Sequence, residues 1–133
     1  MNGFKLSARV PFVSTAAGNS QLVATGDWSF LPGSSSDGML VWNSGRNAAS
    51  IQLFFAPVPP GKWKCDISCH IGNGQVMLMA GSGINFQPGG NDDRVISTNE
   101  FTVDNSGVAF VNVISMGNLD HFSFYSATLE AAQ

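Results

Sequence analysis

From Gly61 to Ile71 the chain alternates without interruption. Trp63, Cys65, Ile67, Cys69 and Ile71 fall on one side, and Lys62, Lys64, Asp66, Ser68 and His70 on the other. Successive side chains of a strand point to opposite faces, so this segment reads as a strand with one face in a core and the other in water. One-sided strands belong to antiparallel sheets, because parallel sheets are covered on both faces. The same pattern sends both cysteines inside. Positions i and i+4 of a strand lie about 13 Å apart at about 3.3 Å per residue, beyond the reach of a disulfide. No second cysteine pair exists to complete a zinc site, so two buried free thiols are expected, as suits synthesis in a reducing compartment.

The rest of the chain repeats this grammar in shorter pieces. Runs that are β-branched or aromatic, bounded by Gly, Asn, Ser or Pro, predict strands at 4–13 (bent or at an edge because of Pro11), 22–24, 28–30, 39–42 and 50–55. Further strands are expected at 62–71, 75–80, 95–97, 101–103, 108–115 and 122–129. Gly72-Asn73-Gly74 predicts a hairpin joining 62–71 to 75–80. Residues 31–38 read as a loop, and 81–94 as a Gly-rich stretch anchored by Ile84 and Phe86. The fold class that follows is all-β: an antiparallel β-sandwich, or jelly roll, of about eight to ten short strands. Residues 1–133 form a single domain with a short N-terminal arm, long enough to bury a core without metals or disulfides.

Only 11% of residues are charged, against 44% hydrophobic, so Ser, Asn, Thr, Gln and Gly must build the surface. Such a surface suits close packing against neighbours or recognition of uncharged ligands. A net charge of −3, with no basic cluster beyond Lys62 and Lys64, argues against nucleic acid as a partner. No apolar run approaches the ~20 residues of a membrane span, and the N-terminus has no long apolar h-region. A soluble chain made in the cytoplasm is the expectation.

Catalytic signatures are missing. His70 and His121 are the only histidines and no Gly-x-Ser-x-Gly elbow occurs; His121 reads as an ordinary exposed residue, and His70, on the polar face of its strand, joins Asp92 and Asp93 only in a third reading, a small metal-assisted hydrolase. No catalytic residue and no cofactor are expected. Asp92 and Asp93, in a run of Gly and Asn, are the one candidate cation site, since Ca²⁺ takes oxygen ligands from flexible loops. Trp63 shares the core face of its strand. Trp28 and Trp42 stand beside polar loops, and with Asn43 and Arg46 they are the candidates for holding a sugar through a ring face and hydrogen bonds, weighed against a plain core role.

The stretch Pro60-Gly-Lys-Trp-Lys-Cys-Asp-Ile-Ser-Cys-His-Ile71, followed by Gly-Asn-Gly and Gln75-Val-Met-Leu-Met-Ala-Gly81, resembles the strand and turn of carbohydrate-binding-module-like jelly rolls. The closing segments Asn99–Gly107 and Phe122–Glu130, and Trp28 after Gly26-Asp27, are similar to the same architecture. The resemblance extends to small stand-alone jelly rolls such as the decoration (cement) proteins of tailed-phage capsids. It implies a non-enzymatic virion protein, made in the host cytoplasm, whose partners are the major capsid protein and copies of itself. Phe4 and Leu6 of the arm would then add as a strand to a neighbour's sheet. The alternative is a glycan-binding module or the receptor-binding tip of a phage fibre, which would use Trp28, Trp42, Asn43, Arg46 and the loop near Asp92.

Overall fold

The computed structural model describes residues 4–7, 21–26, 28–31, 39–43, 49–81, 83–116 and 119–132. These contain twelve strands and no helix. The first five are β1 (Phe4–Ser7), β2 (Gln21–Thr25), β3 (Trp28–Leu31), β4 (Met39–Asn43) and β5 (Ser50–Phe55). Then come β6 (Gly61–Ile71), β7 (Gln75–Ala80), β8 (Gly83–Pro88) and β9 (Asp92–Ser97). The last three are β10 (Phe101–Val103), β11 (Ala109–Ser115) and β12 (His121–Ala131). All pairings are antiparallel. One sheet has seven strands, ordered β10-β6-β12-β4-β3 with β9 on β6 and β1 on β12; the other has five, ordered β2-β5-β11-β7-β8. The two inner faces make one core, in which Leu40, Ile51, Leu53, Phe55, Ile67 and Phe124 are fully buried. The fold is the expected antiparallel β-sandwich, with more strands than expected.

The alternation of β6 holds residue by residue: Trp63, Cys65, Ile67, Cys69 and Ile71 are buried and the intervening residues are not. Burial pushes the Cys69 thiol up to about 12 and Cys65 higher still, so both remain protonated apolar side chains. Four expectations change. First, Gly72-Asn73-Gly74 does not close a hairpin; β6 lies in the seven-stranded sheet and β7 in the other, so this turn carries the chain across the core. Second, the Gly-rich stretch 81–94 holds two strands, β8 and β9, registered on β7 and β6. Third, Ile84 and Phe86 are not anchors, because they face outward at 53% and 51% exposure. Fourth, the strand of the N-terminal arm pairs within the molecule, Phe4 with Leu129 and Leu6 with Ala127 on β12, so one edge of Phe4–Ser7 is already taken by its own sheet. Residues 8–13 of the arm and 32–38 of the long loop lie outside the described residues.

Candidate functional site

The antiparallel order brings the C-terminal ends of β2, β4, β6, β8 and β11 to one end of the sandwich. Backbone hydrogen bonds tie them together. Gly72 N–H donates to the His121 carbonyl (2.8 Å), Asp120 N–H to Asn73 (3.1 Å), Gly89 N–H to Gly74 (2.8 Å) and Ser115 N–H to Ala49 (2.9 Å). Asp120 closes the set by accepting from Asn73, its Oδ1 from the backbone N–H at 2.8 Å and its Oδ2 from the side-chain amide at 3.2 Å. Two glycines permit this closeness. A Cβ on Gly72 would strike Asp120 Oδ1, and one on Gly89 would strike the Gly72 carbonyl and Ile71 Cγ2.

Beside this end, on the outer face of the seven-stranded sheet, lies a cluster assembled from three strands. Register places His70 of β6 opposite Asp93 of β9 and Ser123 of β12. His70 Nδ1 bonds Asp93 Oδ1 at 2.9 Å, and its Nε2 lies 3.3 Å from Asn91 Oδ1. Asn91 sits in the left-handed region (φ 57°), a conformation Asn tolerates better than most residues. Tyr125 joins through a bulge. Phe124 pairs with inward Cys69 and Ser126 with outward Ser68, so Tyr125 is the extra residue, and its hydroxyl donates to Asp93 Oδ1 at 2.9 Å. The ring of His121 meets that of His70 edge to face at 5.5 Å and shares a hydrogen bond with Ser123 Oγ at 2.9 Å.

The charges follow from these contacts. The hydrogen bond to Asp93 raises the His70 pKa, while the bonds from His70 and then Tyr125 lower that of Asp93. Burial, then the bond to Asp93, pushes Tyr125 up to about 12, so it stays a phenol that donates. Burial and the neighbouring His70 lower His121, keeping it neutral. Asp93 Oδ1 takes both bonds, and its well-exposed carboxylate keeps Oδ2 for a further donor. The result is a hydrogen-bonded array of donors and acceptors at the hydroxyl end of Tyr125.

Of the residues singled out from sequence, Trp28, Trp42, Asp92 and Asp93 lie at this same end, with different roles, while Phe4 and Leu6 pair with the far part of β12. Asp92 and Asp93 do not converge on one ion. They are adjacent on a strand and engage separate partners: Asp92 Oδ1 pairs with Arg94 (Nη2 2.7 Å, Nε 2.9 Å), and Asp93 bonds His70 and Tyr125. No group of three or more metal-ligating side chains occurs among the described residues. Trp42 is 4% exposed, a core residue that cannot present its ring to a sugar. Trp28, opposite it on the edge strand β3, is half-buried, packs edge-on against Phe122 at 6.0 Å, and donates from Nε1 to the Thr25 carbonyl at 2.9 Å. Between the sheets a cavity of about 10 Å³ is walled by Trp28, Trp42, Ala49, Val76, Val113 and Phe122, room for about one water. Asn43 is placed by its backbone opposite His121, and Arg46 lies outside the described residues. Sequence reasoning did not join His70, Asn91 and His121 to the sugar-binding candidates; the outward position of His70 on β6 was the available signal.

No family model matches the chain, and no curated protein matches it in sequence. Solved structures do match in shape. One is TmCBM61 in complex with β-1,4-galactotriose, with a TM-score of 0.59 and 12% identity over 84% of this chain and 88% of that one. The C-terminal CBM6 of LamC, a laminarinase from Zobellia galactanivorans, matches with a TM-score of 0.55 and 10% identity over 97% and 99%. The enzymatically active domain of tailspike protein 4 from bacteriophage CBA120 matches with a TM-score of 0.59 and 12% identity, over 86% of this chain but only 19% of the tailspike. At these identities the likeness is one of fold: the chain has the jelly-roll β-sandwich found in carbohydrate-binding modules.

Proposed function

We propose that the chain is a non-catalytic glycan-binding module that takes an uncharged oligosaccharide at the Asp93–His70–Tyr125 cluster. That cluster carries the reading. Sugars are recognised by an aromatic ring face together with hydrogen-bonding groups already held in place. Here Asp93 Oδ2 accepts from a sugar hydroxyl, the imidazole of His70 and the amide of Asn91 flank it, and Tyr125 supplies the ring. The shared fold with TmCBM61 and the LamC module supports the same reading. The test is an oligosaccharide array that includes β-1,4- and β-1,3-galactotriose, followed by titration of each hit. Saturable binding that weakens about tenfold or more in Asp93→Ala, a loss of about 1.4 kcal/mol, is expected. Absence of binding across the array contradicts the proposal.

A second reading, a virion surface protein held to a major capsid protein by contact, has one observation in its favour. The five-stranded sheet has no charged residue in its strands and exposes Val23, Ile84, Phe86 and Phe110 on its outer face. Co-sedimentation with purified phage shells tests it.

A further inference from the structure

His70 has an oxygen on each ring nitrogen: Asp93 Oδ1 lies 2.9 Å from Nδ1 and Asn91 Oδ1 lies 3.3 Å from Nε2. An ionised carboxylate only accepts, and the bonds from His70 and Tyr125 lower the Asp93 pKa and keep it ionised. Nδ1 therefore carries a hydrogen whether the ring is charged or neutral, and Nε2 is the atom that gains or loses the proton. With the proton on, Nε2–H donates to Asn91 Oδ1, as in this structure. With the proton off, Nε2 is an acceptor facing an acceptor, and the Asn91 amide relieves this by turning over to donate its Nδ2–H. Nothing opposes the turn: Asn91 is exposed, and its side chain bonds only His70 among the described residues. Its position is kept by the backbone, whose N–H donates to the Gly72 carbonyl at 3.3 Å.

Taking this cluster as the glycan site, we propose that Asn91 sets its specificity under the control of His70: the charged ring turns the amide so that Nδ2–H is offered to a sugar hydroxyl beside Asp93 Oδ2, and the neutral ring withdraws it. A sugar hydroxyl both donates and accepts, so one donor and one acceptor match a pair of hydroxyls. With the ring neutral the pair meets two acceptors, Asn91 Oδ1 and Asp93 Oδ2. The hydroxyl that had accepted must then turn its own hydrogen inward and give up the partner that hydrogen had. The ionisable groups around His70 leave it as the switch. On β9, Asp93 is ionised, and Asp92 is paired with Arg94 at 2.7 Å. On β12, burial and the bond to Asp93 push Tyr125 up to about 12. Burial and the nearby His70 keep His121 neutral, an effect that Asp120 offsets only in part. Cys69, on the inner face, stays a thiol. The bond to Asp93 raises the His70 pKa above 6.5, so the binding form is complete below 6.5 and is lost as pH rises through the raised value.

The oligosaccharide array, run at about pH 5.5 and again at about pH 9 with each hit titrated between them, tests this. Affinity should fall about three- to tenfold as pH rises, the worth of one hydrogen bond. By linkage, a saturating hit should raise the pH at which His70 titrates, followed by NMR, by the same factor. Asn91→Gly suits the φ of 57° and removes the amide, so it should bind with the same weakened affinity at both ends of the range. His121→Gln should keep the pH dependence, since His121 is neutral throughout. Far-UV circular dichroism checks each fold, and the ligand-induced change in the parent's His70 titration decides the matter if Asn91→Gly unfolds. Affinity indifferent to pH or rising with it, a His70 titration unmoved by ligand, pH dependence kept by Asn91→Gly, or pH dependence lost in His121→Gln would each overturn the proposal and leave the glycan site standing. Absence of binding at both pH values would overturn the glycan site and the proposal together.

Discussion

Gly89→Ala should destabilise the protein, although an alanine in place of glycine ordinarily helps. Where the backbone tolerates it, the change stabilises by about 0.4–1 kcal/mol by restricting the unfolded chain. At position 89 the new Cβ meets the Gly72 carbonyl and Ile71 Cγ2. The first is backbone and the second belongs to a fully buried side chain, so neither yields cheaply. Overpacking of this kind costs about 1–3 kcal/mol, leaving a net loss of about 1–2 kcal/mol, or about 3–10 °C in Tm for a domain of this length. Gly83→Ala is the internal control. Its Cβ finds only ordinary contacts, the Ala80 carbonyl at 3.5 Å and Asn99 Nδ2 at 3.9 Å, so its Tm should hold or rise. Thermal melts of both variants beside the parent decide it. The effect should also reach the site, because Asn91 N–H donates to the same Gly72 carbonyl (3.3 Å) and its side chain contacts His70. A Gly89→Ala protein as stable as the parent would refute the close approach of the two inter-sheet turns.

Three further outcomes are expected. Asp93 holds the His70 pKa above its ordinary 6.5, so the pair contributes stability that is complete below 6.5 and is lost as pH rises through the raised value. Asp93→Asn should move the His70 titration, followed by NMR, downward; an unmoved titration would exclude the contact. Iodoacetamide should label neither Cys65 nor Cys69 in the native protein and both after unfolding, by intact mass, since burial keeps both as thiols. Trp42→Phe should cost about 1 kcal/mol less than Trp63→Phe in urea melts, because Trp63 Nε1 donates to the Pro59 carbonyl whereas Trp42 Nε1 is buried with no acceptor. Equal losses would contradict that difference.

The strand pattern was legible because a half-buried strand writes its two faces into alternate residues; β5, β7 and β10 have the boundaries that the pattern implied. Sheet membership was not legible. β6 and β7 alternate alike, so Gly72-Asn73-Gly74 reads equally as a hairpin or as a crossing between sheets. β8 and β9 were hidden by their glycines and Pro88, and pairing with β7 and β6 overrides that weak local preference. For the candidate site, Trp28, Trp42, Asp92 and Asp93, chosen from sequence, lie at the same end as the proposed cluster, but their partners could not be chosen. His70 and Asp93 are 23 residues apart and meet only through strand register, while Tyr125 reaches Asp93 through a bulge that leaves no mark in composition. The burial of Trp42 beneath that end likewise depends on how the strands are ordered.

The most direct test of the proposed function is an NMR titration of labelled protein with the best oligosaccharide from the array, repeated on Tyr125→Ala. The account predicts saturable shifts centred on His70, Asn91, Asp93 and Tyr125, absent in the variant while its β-sheet spectrum is retained. Shifts confined to the five-stranded sheet, or undiminished binding by Tyr125→Ala, would contradict it.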